Sequence, residues 1–250
     1  HEQGSKDIIR RVFKYERVEK ALRPYLGGSD NQRYRQNLEF IVELISPPEK
    51  MLVDGVWVLK GRSIDKSFLF DIVFNVHESF DVDKFDYVLR DSMLAGFGIR
   101  FSKESLLRVI NNIRVLKCPR LGIRRICFAT KTAGELLSLA DSRHVLHARV
   151  IQHKTVALIE AMIARAFIAA APHVVFDTKS GKKIVLSHIH EDLDVFCRVD
   201  DSILQMIARS DQPGLERASS ILQSISERRL ARRVAYVECS PTQKMSGKKY

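Results

Sequence analysis

The stretch from Phe80 to Asp91, FDVDKFDYVLRD, most constrains how this chain can fold. Its apolar residues recur at the three- and four-residue spacing of a helix with one buried face. Asp83, Tyr87 and Asp91 follow one another at intervals of four, so they share one side of that helix. The sequence therefore predicts a helix that presents a carboxylate, a phenol and a second carboxylate to a candidate pocket.

The same stretch fits a second interpretation, in which its charges serve only the helix. Aspartates near Asp81 would cap the first turn and favour the positive end of the helix dipole. Asp86 and Arg90 would then form a solvated pair one turn apart. The sequence by itself leaves both interpretations open.

Composition narrows the class of protein without defining an activity. At 250 residues and 45% hydrophobic content, the chain can bury a large core. Its net charge of +11 favours anionic partners, either nucleic acid or nucleotide phosphates, although a basic solvated surface gives the same charge. The four cysteines lack CxxC spacing, which argues against a structural zinc site and fits a reducing compartment. No apolar run reaches the length of a membrane span, so no membrane partner is expected.

Helical patterning dominates the chain, and most β-type patterning lies in its last third. The predicted helices span residues 1–26, 33–45, 67–76, 80–91, 103–113, 132–140, 141–171, 200–210 and 213–229. The predicted strands span 125–129, 233–238 and a hairpin formed by 173–177 and 183–187. We therefore expect a mainly α fold, with a helical core at 1–171, a smaller α+β lobe with the hairpin at 172–240, and a mobile tail at 241–250.

The longest predicted helix, 141–171, begins with a basic half. Arg143, His147, Ile151 and Lys154 are spaced so that they share one stripe of a continuous helix. This stripe fits a surface that faces phosphates, and it also fits a solvated basic face. A single histidine such as His147 also fits a structural role in which its ring nitrogens have partners.

Three stretches occur in an order that resembles one known family. They are the opening HEQGS, the DVDKFDY run of the acidic helix, and the array R-x-x-x-H-x-x-x-x-Q-H-K from Arg143 to Lys154. From His1 to about Gln243 the chain is similar to the HD-domain deoxynucleoside triphosphate triphosphohydrolases, and among them to the eukaryotic group that also carries a sterile alpha motif. This resemblance implies an HD-type helical core and metal-dependent hydrolysis of dNTPs, dGTP among them, to deoxynucleoside and inorganic triphosphate.

The resemblance implies roles for four residues of the acidic helix. Asp83 matches an aspartate that binds a metal ion, and Lys84 matches a lysine that binds phosphate. Tyr87 matches a tyrosine that packs on the deoxyribose and disfavours a 2′-hydroxyl. Asp91 matches a carboxylate that holds the 3′-hydroxyl. These implied roles agree with the shared helix side of Asp83, Tyr87 and Asp91.

Four further residues receive roles from the same resemblance. Arg143 matches an arginine on the terminal phosphate, His147 a histidine near the phosphates, and Gln152 a residue near the sugar. His1 matches an active-site histidine that binds the phosphates or assists proton transfer. The implied catalytic residues are thus Asp83 and His1, and the others bind substrate.

The resemblance also implies cofactors and partners. In the family, a histidine, a His-Asp pair and a distant aspartate bind one divalent metal ion, and a water attacks the α-phosphate. We expect Fe, Zn or Mn at this site, with Mg²⁺ accompanying the nucleotide. The expected partners are the dNTP substrate, activating nucleotides and further copies of the chain in a homo-oligomer, in the nucleus or the cytoplasm.

Several positions depart from the family pattern. The upstream histidine and His-Asp pair have no counterpart, so we expect the chain to be an internal fragment that is inert alone, with Asp83 as its recognisable metal ligand. Ile151 stands where the family has a tyrosine beside the sugar and base. Ser105 and Ala129 stand near the places of arginines that serve nucleotide activation.

These departures keep a second hypothesis open. A catalytically degenerate HD-fold module would use its basic surface to bind single-stranded nucleic acid, or would pair with an active paralogous subunit. An upstream H…HD pattern in the natural protein would favour the enzyme, and its absence would favour the binding module.

Overall fold

A computed structural model describes residues 2–48, 50–77 and 79–231 of the chain. Its contacts define two compact units, His1–His153 and Lys154–Tyr250. Helices make up most of the described residues and the strands form short antiparallel pairs, which confirms a mainly α class with a small part that contains a hairpin. The two compact units divide after His153. The predicted domain limit near residue 171 stays a prediction.

The described part of the first unit consists of seven helices and four strands. In chain order these are α1 (Glu2–Val12), α2 (Glu16–Leu26), α3 (Asn31–Ile45), β1 (Leu52–Val53), β2 (Val56–Trp57), α4 (Phe68–Val73), α5 (Val82–Leu94), α6 (Lys103–Ile110), β3 (Ile113–Lys117), β4 (Arg124–Phe128) and α7 (Ala133–Leu146). β1 pairs with β2 and β3 with β4, both antiparallel. A π-helical turn at His147–Ile151 follows α7.

The apolar face of α5 packs against α6 and α7. Phe85 and Val88 of α5 are buried with Phe101 and Leu139, and the rings of Phe85 and Phe101 stack with centroids 6.1 Å apart. Burial of such a side chain stabilises the fold by about 1.5–3 kcal/mol. This packing fixes the orientation of α5 and places Tyr87 at the edge of the core.

A buried ion pair joins α4 to β4. Arg125 Nε donates to Asp71 Oδ2 at 2.8 Å, and the two side chains are 5% and 2% exposed. The same carboxylate oxygen accepts from the backbone N of Ile126 at 2.9 Å. Arg125 also donates to Asn75 Oδ1 at 3.0 Å. The β3–β4 hairpin is therefore tied to α4 by polar contacts that are shielded from water.

The second unit is built on close packing between helices. Its described elements are α8 (Lys154–Ala170), β5 (Val175–Asp177), β6 (Lys183–Val185), α9 (Leu193–Phe196), α10 (Ser202–Ala208) and α11 (Glu216–Ser226). Ala166 and Ala170 of α8 are buried with Ile207 of α10 and Ala218 of α11, and such small side chains allow helices to approach closely.

The predicted hairpin of the second unit is confirmed. β5 and β6 pair antiparallel, and Gly181 in the turn has φ +80°, a left-handed conformation that glycine adopts at no steric cost. The predicted strand 233–238 and tail 241–250 lie outside the described residues. No helix in the described ranges is both long and apolar enough to cross a membrane.

The prediction of one continuous helix over 141–171 is wrong. α7 ends at Leu146, and the π turn closes with a hydrogen bond of 2.7 Å from Gln152 N to His147 O before α8 begins at Lys154. The four stripe residues therefore belong to three different elements, α7, the π turn and α8.

Three other elements differ from their predicted form. The predicted helix 67–76 is helical only over α4, and it is not buried on all sides, because Phe70 is fully buried while Ile72 and Phe74 are about two-fifths exposed. The predicted helix 1–26 is divided into α1 and α2. The predicted helix 103–113 ends at Ile110, and strand β3 begins at Ile113, with its later residues exposed.

Candidate active site

Asp81 immediately precedes α5 and caps its first turn. The Asp81 carboxylate accepts from the backbone N of Lys84 at 3.2 Å, so it satisfies a free amide at the helix start. The same side chain is 8% exposed and lies 3.3 Å from Lys84 Nζ. Asp86 forms an ion pair with Arg90 on the exposed face. The capping interpretation is therefore confirmed for Asp81, and Lys84 is held by a carboxylate partner.

Tyr87, Arg143 and His147 form one hydrogen-bonded cluster. Arg143 Nε donates to Tyr87 Oη at 2.7 Å, and the same hydroxyl lies 3.2 Å from His147 Nε2. The rings of Tyr87 and His147 meet edge to face with centroids 6.1 Å apart. The fold thus brings α5 together with the end of α7 and the π turn, where sequence spacing alone could not join them.

The donors and acceptors of the cluster limit its protonation states. Arginine only donates, so Tyr87 Oη accepts from Arg143. The bond between Tyr87 Oη and His147 Nε2 suits either tautomer: the phenol donates to an unprotonated Nε2, or a protonated Nε2 donates to the second lone pair of the hydroxyl. Burial, and secondly the positive charge of Arg143, lower the pKa of His147 below its ordinary value. Burial and the charge of Arg143 therefore both favour the neutral form of His147.

We expect an NMR titration to place the pKa of His147 below the ordinary value of about 6.5. Arg143→Gln should raise this pKa because it removes a nearby charge, but burial, the larger cause, should keep it below the ordinary value. The unfolded chain binds this proton more readily, so the group's contribution to stability is lost as the pH falls below about 6.5. Arg108→Gln, which removes a distant exposed charge, is the control. A His147 pKa at or above the ordinary value in the unsubstituted protein would contradict the assignment of a neutral imidazole.

Lys84 and Arg143 line one cavity of about 310 Å³. Phe80 and Leu139 contribute apolar wall to the same cavity. Two cationic side chains on one small cavity suit an anion, because ammonium and guanidinium groups form charge-assisted hydrogen bonds with phosphate oxygens. Arg143 belongs to both the cavity and the Tyr87 cluster, so the two features form one candidate site.

The side chains of the other predicted site residues make none of the hydrogen bonds of this cluster within the described ranges. Asp83 is exposed on the first turn of α5, and Asp91 accepts from Arg90 Nε at 3.0 Å. Gln152 is exposed, and its backbone N closes the π turn. His1 lies outside the described residues. The roles that the resemblance implies for Asp83, Asp91, Gln152 and His1 stay predictions.

The described residues do not form a metal centre by themselves. Within the ranges 2–48, 50–77 and 79–231, no group of three or more His, Cys, Asp or Glu side chains could hold an ion. Catalytic zinc sites use about three protein ligands, and Asp83 offers one exposed carboxylate. The expected Fe, Zn or Mn ion does not fit these residues without further ligands.

The structure also reveals polar residues behind the site that the sequence analysis did not select. Asp71 and Asn75 are buried and bind Arg125, and Asn75 donates through Nδ2 to the backbone O of Phe80 at 3.1 Å. The sequence did contain a signal for Asp71 and Asn75, because they lie four positions apart within an otherwise apolar run. Polar groups buried in such a run require hydrogen-bond partners. Their distant partner, Arg125, had no local signal.

A helical unit that lines one cavity with a lysine and an arginine, and joins that arginine to a tyrosine–histidine pair, defines a candidate binding site for a phosphorylated small molecule. Sequence similarity to known proteins narrows this class of binding site further. The chain is 38% identical over 200 residues to the deoxynucleoside triphosphate triphosphohydrolase SAMHD1 of Danio rerio, a match that covers 79% of this chain and 31% of the relative. It is 32% identical over 243 residues to the Homo sapiens protein of the same name, covering 97% of this chain and 37% of the relative.

A viral relative extends the comparison. The putative HD domain-containing protein L394 of Acanthamoeba polyphaga mimivirus is 26% identical over 223 residues, covering 83% of this chain and 42% of the relative. No protein-family model matches the chain. The chain spans about a third of the length of the SAMHD1 relatives. Over most of its length the chain is similar in sequence to the HD-domain deoxynucleoside triphosphate triphosphohydrolases, which confirms the resemblance.

Proposed function

We propose that the natural protein containing this chain hydrolyses dNTPs, dGTP among them, to deoxynucleosides and inorganic triphosphate. The observation that carries the proposal is the convergence of two distant helices on one site. Lys84 and Arg143 share a cavity, and Arg143 also binds Tyr87. The resemblance assigns phosphate and sugar contacts to these same residues, and relatives named dNTP triphosphohydrolases support the family-level activity.

In this proposal Lys84 and Arg143 bind the triphosphate. A guanidinium group has five N–H donors, so the bond from Arg143 to Tyr87 leaves donors for phosphate oxygens. Cations that are already fixed around a cavity stabilise the charge that develops on the oxygens of the triphosphate during attack at the α-phosphorus, while the 5′-oxygen of the deoxynucleoside leaves, and they do so without reorganising. Their contribution is therefore to phosphate binding and to stabilisation of the transition state.

Tyr87 and His147 provide the part of the site that adjoins the sugar and phosphates. With the Tyr87 hydroxyl fixed by Arg143, its ring offers a rigid wall against which a deoxyribose packs and a 2′-hydroxyl is disfavoured. A neutral His147 uses Nε2 for Tyr87 and keeps Nδ1–H to donate to a phosphate oxygen. Asp91 would hold the 3′-hydroxyl and Gln152 would lie near the sugar, as the resemblance implies.

The proposed chemistry includes a divalent metal ion, Fe, Zn or Mn, and Mg²⁺ with the nucleotide. Such an ion supplies a nucleophilic water near neutral pH. Asp83 would contribute one ligand, and His1 would bind phosphate or assist proton transfer. Because the described residues lack a full ligand set, we expect the 250-residue chain alone to show no turnover.

Product analysis tests this function. The natural protein, incubated with dGTP and Mn²⁺ or Mg²⁺, should release deoxyguanosine and triphosphate in equal amounts. In ¹⁸O-labelled water the label should enter the triphosphate, because attack occurs at the α-phosphorus. GTP is the matched control and should react more slowly. Release of diphosphate or of single phosphates would contradict the assignment.

Activating nucleotides, homo-oligomerisation and a nuclear or cytoplasmic location complete the proposal. They rest on the resemblance alone. Ser105 and Ala129 replace the arginines expected near the activating nucleotide, so any activation here should rely on other side chains.

The exposed β3–β4 hairpin favours a second candidate function, binding of single-stranded nucleic acid. Arg114 and Lys117 of β3 and Arg124 of β4 are exposed, and Leu116 between the first two is 55% exposed. Binding through such cations should weaken steeply between about 50 and 200 mM salt. An affinity for an oligonucleotide that is flat over this range, or unchanged in an Arg114→Gln/Lys117→Gln variant, would exclude it.

A further inference from the structure

A continuous path of buried polar contacts leads from β4 to Lys84. Arg125 NH2 donates to Asn75 Oδ1 at 3.0 Å, and the backbone N of Asn75 lies 3.4 Å from Asp81 Oδ2. Asp81 in turn meets both the backbone N and the Nζ of Lys84. Asn75, Asp81 and Arg125 are each less than 8% exposed. A carboxylate buried to this degree is retained only when partners satisfy it.

Asp81 has more contacts than capping requires. One carboxylate oxygen accepts from the backbone N of Lys84, and this bond alone completes the cap. The second oxygen is used by Asn75 N and by Lys84 Nζ. Serine and asparagine cap helices as well as aspartate does, so the cap leaves the negative charge unexplained.

We propose that Asp81 is a positioning residue that fixes the ammonium group of Lys84 on the wall of the cavity it shares with Arg143. This inference rests on the proposed function, since it deepens the role of Lys84 in phosphate binding. An ammonium group has three N–H donors. The Asp81 contact uses one of them and leaves two for phosphate oxygens. The network through Asn75 and Arg125 holds the carboxylate itself in place.

The charge of Lys84 and the position of its ammonium group should affect different kinetic constants. Without the Asp81 carboxylate, Lys84 keeps its charge and still attracts the substrate, so KM should change little. The long lysine side chain then samples several rotamers, and its alignment with the phosphate oxygens of the reacting triphosphate is lost. Misplacement of a positioned group by about 1 Å can cost up to about 100-fold in rate. The expected signature is a loss in kcat without a rise in KM.

The kinetic test uses the natural protein and dGTP. Asp81→Asn keeps a capping oxygen but removes the charge, and it should lower kcat about tenfold with KM within about twofold. In a protein that already carries Lys84→Ala, the same substitution should not lower kcat further. Asp86→Asn is the matched control, because it removes one carboxylate from the exposed face of the same helix. The proposal would be overturned if Asp81→Asn raised KM instead of lowering kcat, or if it lowered kcat equally in the Lys84→Ala background.

A second measurement does not depend on turnover. Acetylation of lysines by acetic anhydride, quantified by peptide mass spectrometry, should be several-fold faster at Lys84 in Asp81→Asn than in the parent, relative to the exposed Lys103. Asp81→Ser, which also caps the helix, provides the same comparison if the asparagine variant does not fold. An unchanged Lys84 rate overturns the positioning role. Absence of triphosphate release in the parent, with faster labelling in the variant, would instead refute only the proposed function.

Discussion

Arg143→Ala in the natural protein should lower kcat for dNTP hydrolysis by about 10²–10³-fold, the cost of removing one fixed donor to a developing oxyanion. Arg143 faces the cavity shared with Lys84 and fixes the Tyr87 hydroxyl at 2.7 Å. Its removal therefore affects both phosphate stabilisation and the wall that adjoins the sugar. The effect should exceed that of any single substitution in which the site keeps both cations.

Initial rates of triphosphate release from dGTP measure this effect. Arg108→Ala is the matched control, since Arg108 is an exposed arginine of the same unit that pairs with Glu135 away from the cavity. It should retain parental rates. If Arg143→Ala retained kcat within about threefold, a rate change smaller than 1 kcal/mol, Arg143 would not act on the triphosphate.

Asp71→Ala should lower the free energy of unfolding of the region around α4 and β4 by about 3–5 kcal/mol. The substitution leaves the Arg125 guanidinium buried without its carboxylate partner, and it removes the acceptor of the Ile126 amide. Hydrogen exchange of β4 peptides in the natural protein, followed by mass spectrometry, reports this loss as exchange faster by about two orders of magnitude or more.

Two comparisons make the stability test specific. Asp86→Ala breaks an exposed ion pair and should leave β4 exchange unchanged. The double variant Asp71→Leu/Arg125→Met removes both charges together and should recover much of the loss, because apolar residues of similar size replace buried pairs well. If β4 peptides exchanged at equal rates in Asp71→Ala and in the unsubstituted protein, the loss of the Asp71 carboxylate from the buried Arg125 would cost no measurable free energy.

Local patterns were sufficient to predict α5. Its apolar spacing and its capping aspartate lie within about four turns of one helix, so a window of the sequence contained all the information. Asp81 caps the helix as the capping interpretation has it, and Tyr87 enters the cluster, while the pocket roles of Asp83 and Asp91 stay predictions. The alternatives were compatible rather than exclusive.

The Tyr87–Arg143–His147 cluster could not be derived from spacing. Tyr87 precedes its two partners by 56 and 60 positions, and only the tertiary fold sets their distance. The family resemblance selected these residues, and the structure brings them together. The same limit applies to Asp71 and Arg125, which lie 54 positions apart.

Two backbone features were not predicted, and the reasons differ. The π turn at His147–Ile151 contains neither glycine nor proline, so no helix-breaking signal marked it. The β1–β2 hairpin was overlooked although Asp54 and Gly55 form its turn with positive φ, and an Asp-Gly pair is typical of such turns. The first could not be anticipated locally, whereas the second could.

The most direct test of the proposed site is a structure of the natural protein with a non-hydrolysable dGTP analogue. We expect the triphosphate oxygens to receive hydrogen bonds from Lys84 Nζ and the Arg143 guanidinium, with the deoxyribose against the ring of Tyr87. Asp81 should still contact Lys84. An analogue bound elsewhere, with the cavity between Lys84 and Arg143 free of phosphate, would contradict the assignment of this site.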